Sequence, residues 1–274
     1  IPANRILLSS RSKAMLGFAD HEIGSCMDDW LQRVHPDDLP GLMAARQPLL
    51  DGRRDTFVHE HRKRCKDGSW KWIQAHGMVV TRDSAHAPTR LIGTYLDVSE
   101  RRQAEETIQR QANFDPLTQL PNRRLFLDRL GQEIIKSRRA DFFLALLLVD
   151  LDEFKEVNDT LGHDVGDILL QEAARRIRSC LRDADTVARL GGDEFTVILA
   201  DLSDRTHIET IAQKIIGRLA EPFRLGDELA YITASIGITV YSGDADDIDT
   251  LLKHADQAMY AAKKHGRNRF FYFT

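Results

Sequence analysis

Two hydrophobic patterns follow one another along the chain. Residues 57–65 alternate apolar and polar positions, and residues 70–80 and 90–98 are rich in strand formers, so antiparallel strands are expected there. Between the first two, Lys66-Asp67-Gly68-Ser69 carries the Asp-Gly signal of a hairpin turn. Shorter helix-like pieces precede them around residues 13–16, 28–34 and 37–46. Pro36 breaks the last from its predecessor, Asp37 and Asp38 supply an acidic first turn, and Pro40 is tolerable only because it falls so early. Beyond residue 114 the pattern changes. Residues 142–150 (FFLALLLVD) form a continuous apolar run ending in a carboxylate, which suits a strand covered on both faces. Helical spacing marks residues 166–181, 206–219 and 247–264. Strands are expected at 187–190, 194–199, 231–241 and 269–273, with Gly191-Gly192 as a two-residue hairpin turn. Alternating strands and helices predict an α/β fold for this half.

Between the halves, residues 99–113 (SERRQAEETIQRQAN) lack Gly and Pro and predict a helix, with Ser99 as N-cap and Glu100 at its positive end. Its apolar positions, Ala104, Ile108 and Ala112, stand four apart. They fit either a solvated connecting helix or the seam of a parallel two-stranded coiled coil.

Composition sharpens the division. A length of 274 residues suits two domains. All three Trp and six of the ten His precede residue 100. Residues 1–113 carry 17 basic and 15 acidic side chains, whereas residues 114–274 carry 21 and 27. The net charge of -4 argues against a nucleic-acid binder. The longest apolar run falls far short of the ~20 residues of a membrane span, and no charged-then-apolar leader is visible. Cys26, Cys65 and Cys180 are few and far apart, which fits a reducing compartment and a cytoplasmic location. His59, His61 and Cys65 could be drawn as a metal cluster, but without supporting ligand spacing a solvated strand face is the better reading.

Chemistry concentrates in four carboxylates. Asp150 and Asp152 flank Leu151 at the end of the apolar run, and Asp193 and Glu194 follow the double glycine. Ligands of open α/β sheets collect at strand ends. Side by side, these groups make a hard oxygen site for Mg²⁺, which binds through one or two carboxylates plus substrate phosphates. The glycines let the chain turn without side chains blocking a triphosphate. No GxxxxGK[ST] is present, so phosphate binding is not of the P-loop kind. Alone, GGDE is a common turn whose carboxylates are solvated.

Two resemblances join these observations. VHPDDL (34–39), KDGSWKWIQAHG (66–77) and GTYLDVSERR (93–102) resemble a PAS sensory domain, an α+β fold of antiparallel sheet and short helices. Asp97-Val98-Ser99-Glu100 is similar to its usual exit into a signalling helix. An ordinary member begins with one more aromatic strand. With Ile1 in place of Met, the chain reads as a fragment with a truncated sensor, which could be the soluble part of a larger, membrane-anchored protein. DPLTQLPNRR (115–124), VDLDEFKEVNDTLGHDVGD (149–167), ARLGGDEF (188–195) and AMYAAKKHGRNR (258–269) resemble, in order, the motifs of the GGDEF diguanylate cyclases. Their α/β fold, a central sheet flanked by helices, is similar to the nucleotidyl cyclase and polymerase palm. The implied division is 1–98 sensor, 99–113 signalling helix and 114–274 cyclase.

The resemblance implies a reaction, two GTP condensing to cyclic di-GMP and two pyrophosphates, and roles for particular residues. Asp150, the Leu151 carbonyl and Asp193 would hold Mg²⁺ or Mn²⁺. Asp193 or Glu194 would help take the proton of the attacking ribose 3′-hydroxyl, or a metal-activated path would serve. Asn158 and Asp167 would read guanine, whose carbonyl and N–H pattern adenine lacks. Amides around Glu153, Phe154 and Lys155 would cradle phosphates, and Lys263 and Arg267 would neutralise the outer ones. Arg182 and Asp185, five residues before the double glycine, match the family's inhibitory product site. Each domain holds one GTP, so a homodimer is implied. The alternative is a non-catalytic receptor for GTP or cyclic di-GMP within a larger bifunctional signalling protein.

Overall fold

In a computed structural model the chain divides into two compact units, one up to Ile108 and the other from Gln109. The structure describes residues 5–140, 143–202, 204, 206–226, 228–241 and 247–274.

The first unit contains α1 (Ser10–Ala14), α2 (Met27–Leu31), α3 (Leu39–Leu50), β1 (Thr56–Arg64), β2 (Trp70–Arg82), β3 (Pro88–Asp97) and the start of α4 (Ser99–Asn113). Its sheet runs β1-β2-β3, antiparallel throughout. The β1–β2 turn closes as expected: Gly68 takes φ 88°, and the Asp67 carboxylate accepts the Ser69 N–H and hydroxyl. One face of the sheet packs on a core of Leu16, Ile23, Trp30, Cys65 and Ile73.

Three expectations change here. Helix α3 starts at Leu39, so Asp38 lies outside it. Its carboxylate instead grips Arg62 of β1 at 2.7 and 2.9 Å, which holds it down to about 2. Ser99 is not the N-cap. Asp97 accepts the Ser99 N–H at 3.0 Å, and the Ser99 hydroxyl accepts the N–H of Trp72. Arg101 and Arg102 then bind Glu60 of β1, fixing the start of α4 to the sheet. Finally, the His59–His61 face is not solvated. The two rings stack at 5.8 Å, and His61 is 1% exposed.

The second unit contains α5 (Arg123–Ala140), β4 (Phe143–Asp152), α6 (Phe154–Leu161), α7 (His163–Arg178), β5 (Thr186–Gly191), β6 (Glu194–Leu202), α8 (Thr206–Leu219), β7 (Phe223–Leu225), β8 (Glu228–Ala230), β9 (Thr233–Tyr241), α9 (Ile248–Lys264) and β10 (Arg269–Tyr272). Phe142, the expected start of the apolar strand, lies outside the described residues. The sheet order is β10-β9-β4-β6-β5. Strand β4 is central and antiparallel to both neighbours, while β10 is parallel to β9. The unbroken apolar run follows from cover on both faces. Ala145, Leu147, Val149 and Leu151 join the core that includes Leu169 and Ile177 of α7 and Ile211 and Ile215 of α8. Leu144, Leu146 and Leu148 face Phe126 and Leu130 of α5 and Leu251 and Ala255 of α9. Helix α9 lies so close over β9 that a Cβ on Gly237 would meet the Ala255 carbonyl oxygen at 1.9 Å, so only glycine fits there.

Burial pushes the His61 imidazole from 6.5 down to about 4, helped by the nearby charges of Lys63 and His59. Between these values the unfolded chain binds a proton that the folded one rejects, so stability falls as pH drops from 6.5 to 4. The first unit is expected to lose roughly 2–3 kcal/mol over that window. Its unfolding can be followed by tryptophan fluorescence, since all three Trp lie in it. A His61→Leu variant should flatten the dependence, and an unchanged slope would contradict this origin.

Candidate active site

The site forms where β4 ends beside the β5–β6 turn. Strand register places Asp150 opposite Glu194 and pairs Gly191 with Glu194. The two turn residues are therefore Gly192 and Asp193, not the two glycines. Gly191 at φ 148° and Gly192 at φ 54° occupy conformations that favour glycine. The Leu151 N–H donates to the Asp193 carbonyl at 3.3 Å, which ties the turn to the end of β4.

Asp150 is 6% exposed. Burial and the neighbouring Asp193 and Asp152 push its carboxyl up to about 6, while Lys263 of α9, 2.8 Å away, pulls it back. Asp152 has a different task from the one suggested by its spacing. It is buried and accepts from the hydroxyls of Thr233 and Ser235 at 2.6 and 2.7 Å and from the Asn268 N–H at 3.2 Å. It therefore anchors the segment after α9 rather than facing a ligand.

Glu153 turns the chain from β4 into α6 with φ 61°. Phe154 and Lys155 thus lead a helix rather than a free turn, and helix-leading amides lack intrahelical partners. The Phe154 side chain is buried, leaving its backbone as the useful group. Asn158 on α6 lies against Gly166 of α7: a Cβ there would meet the Asn158 side-chain oxygen at 1.8 Å. Gly162, at φ 89°, joins the two helices and brings Asn158 beside the residue preceding exposed Asp167. Lys263 and Arg267 do not share a helical face. Lys263 is in the last turn of α9, whereas Arg267 lies beyond it at φ 57° and reaches Glu153 at 3.8 Å.

Arg182 and Asp185 precede β5, about 20 Å from the turn at the usual rise per residue. The Asp185 side chain is fully buried and accepts the Arg182 N–H at 3.0 Å. The half-exposed Arg182 guanidinium covers it at 3.4 Å.

Sequence reading missed Arg189. Its guanidinium donates to the Gly192 carbonyl at 2.9 and 2.7 Å and to Asp115 at 3.0 Å, and its N–H donates to the Pro121 carbonyl. It bolts the glycine turn to the DPLT segment. The available signal was an arginine two residues before a turn with an acidic residue in an upstream motif.

The donors suit a divalent cation. Asp150, Asp193 and a backbone carbonyl are hard oxygens, and besides burial the neighbouring Asp193 and Asp152 raise Asp150, so a cation there would be welcome. Among the described residues no three His, Cys, Asp or Glu side chains group to hold a metal, so phosphate oxygens and water would complete the shell.

Two families match the chain. The family described as diguanylate cyclase, GGDEF domain, matches residues 112–269, and the PAS fold matches residues 5–95. The bifunctional diguanylate cyclase/cyclic di-GMP phosphodiesterase MucR of Pseudomonas aeruginosa is 46% identical over 187 residues, 68% of this chain. The chain spans only 26% of MucR. A diguanylate cyclase of Vibrio cholerae is 32% identical across 98% of this chain and 80% of its own. The solved GGDEF domain of TpbB from Pseudomonas aeruginosa superposes with a TM-score of 0.57 at 43% identity, covering 59% of this chain and 94% of that one.

Replacing Lys263 with Met removes the cation that holds Asp150 down. The Asp150 carboxyl is then expected to titrate above about 6. A ¹³C-carboxyl NMR titration of the nucleotide-free protein reads this directly, and a downward move would contradict the pairing.

Proposed function

Since the chain belongs to the GGDEF family of diguanylate cyclases and carries a PAS fold ahead of that domain, we propose that it condenses two GTP into cyclic di-GMP and two pyrophosphates. The observation that carries the proposal is the convergence of Asp150, Asp193 and Glu194 at one turn, with Lys263 2.8 Å from Asp150.

The chain's own groups divide the work. The opening amides of α6 at Phe154 and Lys155 and the cations of Lys263 and Arg267 bind the triphosphate. Asn158 and Asp167, on the facing ends of α6 and α7, would read guanine, the amide donating to its carbonyl and the carboxylate accepting from its N–H groups. Asp193 or Glu194 would receive the proton of the attacking 3′-hydroxyl, unless a metal-activated path serves. Asp150, the Leu151 carbonyl and Asp193 would hold Mg²⁺ or Mn²⁺, which when bound neutralises triphosphate charge and polarises the α-phosphate. Positioning and charge stabilisation dominate such phosphoryl chemistry. One unit offers one GTP site, so two copies must face each other, and α4 with its Ala104, Ile108 and Ala112 stripe is the segment placed to pair them. Residues 1–98 would act as sensor, 99–113 as signalling helix and 114–274 as cyclase. A reaction that consumes GTP would run in the cytoplasm. Among the described residues no helix is long and apolar enough to cross a membrane.

Product would bind at Arg182 and Asp185. Their mutual side-chain contacts, at 3.4–3.5 Å, are long for a charged pair and can be exchanged for shorter ones to a guanine edge or phosphate.

Purified protein incubated with GTP and Mg²⁺ should yield cyclic di-GMP by chromatography, and Asp193→Ala should lower turnover by at least about a hundredfold with the fold intact. GTP binding without product, at any protein concentration, would return the reading of a non-catalytic receptor. Separately, Arg182→Ala should raise the cyclic di-GMP concentration needed for half-inhibition at least about tenfold, near 1.4 kcal/mol. An unchanged inhibition curve would remove this pair from the product site.

A further inference from the structure

The first unit carries a partly open cavity of about 610 Å³, within the range of small-molecule sites. Its ionisable lining is one-sided. Arg5, Arg46, Lys63 and Arg90 line it, and among the described residues no Asp or Glu does.

Lys63 is the least ordinary of these. It is 1% exposed, although it points from β1 into the interior. Its ammonium donates to the Trp30 carbonyl at 2.9 Å and stands 3.5 Å over the Trp30 ring and 5.7 Å from that of Tyr95. The charges that act on it, Arg33 and Arg46, are both positive and, with burial, push its pKa well down. A ring face and one carbonyl compensate an ammonium only in part. Beside it, both ring nitrogens of buried His61 lack a hydrogen-bond partner among the described residues. Tyr95 accepts from the Trp30 indole N–H at 2.9 Å, which leaves its own hydroxyl proton to donate. The remaining walls include Met27, Leu42 and Phe57.

We propose that this cavity binds a small organic monocarboxylate, with its carboxylate on Lys63 and its apolar body against Met27, Leu42 and Phe57. One buried ammonium balances one negative charge. A phosphate dianion would bring a second charge, and the other cations of the lining are half-buried (Arg46) or exposed (Arg5 and Arg90), so none stands beside Lys63 as a second buried cation; a neutral ligand would leave Lys63 as it stands. His61 and Tyr95 supply the neutral donors that a carboxylate's second oxygen requires. The proposal concerns the first unit alone and does not depend on turnover in the second.

Isothermal titration of the full chain with octanoate and 4-phenylbutyrate, each against the matching primary alcohol, tests it. The carboxylates should bind with Kd below about 1 mM and at least about tenfold tighter than the alcohols. Lys63→Met should cut carboxylate affinity at least about tenfold and leave the alcohols within about twofold. Leu42→Trp, which fills the apolar wall, should abolish both. Equal affinities for acid and alcohol, no carboxylate binding below about 1 mM, or an unaffected Lys63→Met protein would each overturn it. Should Lys63→Met not fold, the acid-to-alcohol ratio of the unaltered chain decides alone. Calorimetry needs no catalysis, so failure here is distinct from failure to make cyclic di-GMP.

Discussion

Lys263 and Asp150 meet 2.8 Å apart at the end of a strand whose other residues are almost wholly apolar. A carboxylate in that position is costly unless a cation stands on it, and much of the second unit is arranged so that one does. Helix α9 must press against β9 to bring Lys263 within reach, and Gly237 permits the approach. Asp152 holds the segment that follows α9 by capturing Thr233, Ser235 and the Asn268 amide. On the opposite side Arg189 ties the glycine turn to Asp115, so that Asp193 arrives beside Asp150. Burial and the neighbouring Asp193 and Asp152 push Asp150 up to about 6 even with Lys263 beside it.

The first unit poses the converse problem. Lys63 is a buried cation without a carboxylate, held by a carbonyl and aromatic faces, while Asp38, Glu60 and Asp97 spend their charge on Arg62, Arg101, Arg102 and Lys71. Those outer pairs fix the sheet to α3 and to the start of α4. They leave the interior positive. A ligand that completed this buried charge, as proposed above, would couple its occupancy to packing around Trp30 and Tyr95, which is the kind of bias a ligand needs to shift a two-state equilibrium.

Legibility in the sequence followed periodicity. The three strands of the first unit, β4, the β5–β6 hairpin, α8, α9 and β10 stood out because burial on one or both faces leaves a repeating apolar mark. Helices α5 and α6 and the short β7–β8 ribbon were not anticipated, since α5 mixes five arginines with its apolar stripe and the others are only eight and three residues long. The errors at Asp38, Ser99 and the glycine turn share a cause. Each depends on which distant group claims a hydrogen bond, and a one-residue offset changes the claimant. His61 was misread because a polar residue on an alternating strand looks solvated until the opposing helices are in place.

The sequence by itself determined the two folds and their order, because motifs, turn glycines and apolar runs are local properties. Tertiary structure decided which carboxylate does what. Asp150 and Asp152 are two residues apart on the same strand, yet one meets Lys263 and the other is consumed by Thr233, Ser235 and Asn268. Arg189 and Lys63 likewise took their roles in part from neighbours dozens of residues away, Asp115 and Trp30. Charge and hydrogen-bond partners are set by spatial proximity in a low-dielectric interior, and no reading of adjacent residues contains that distance.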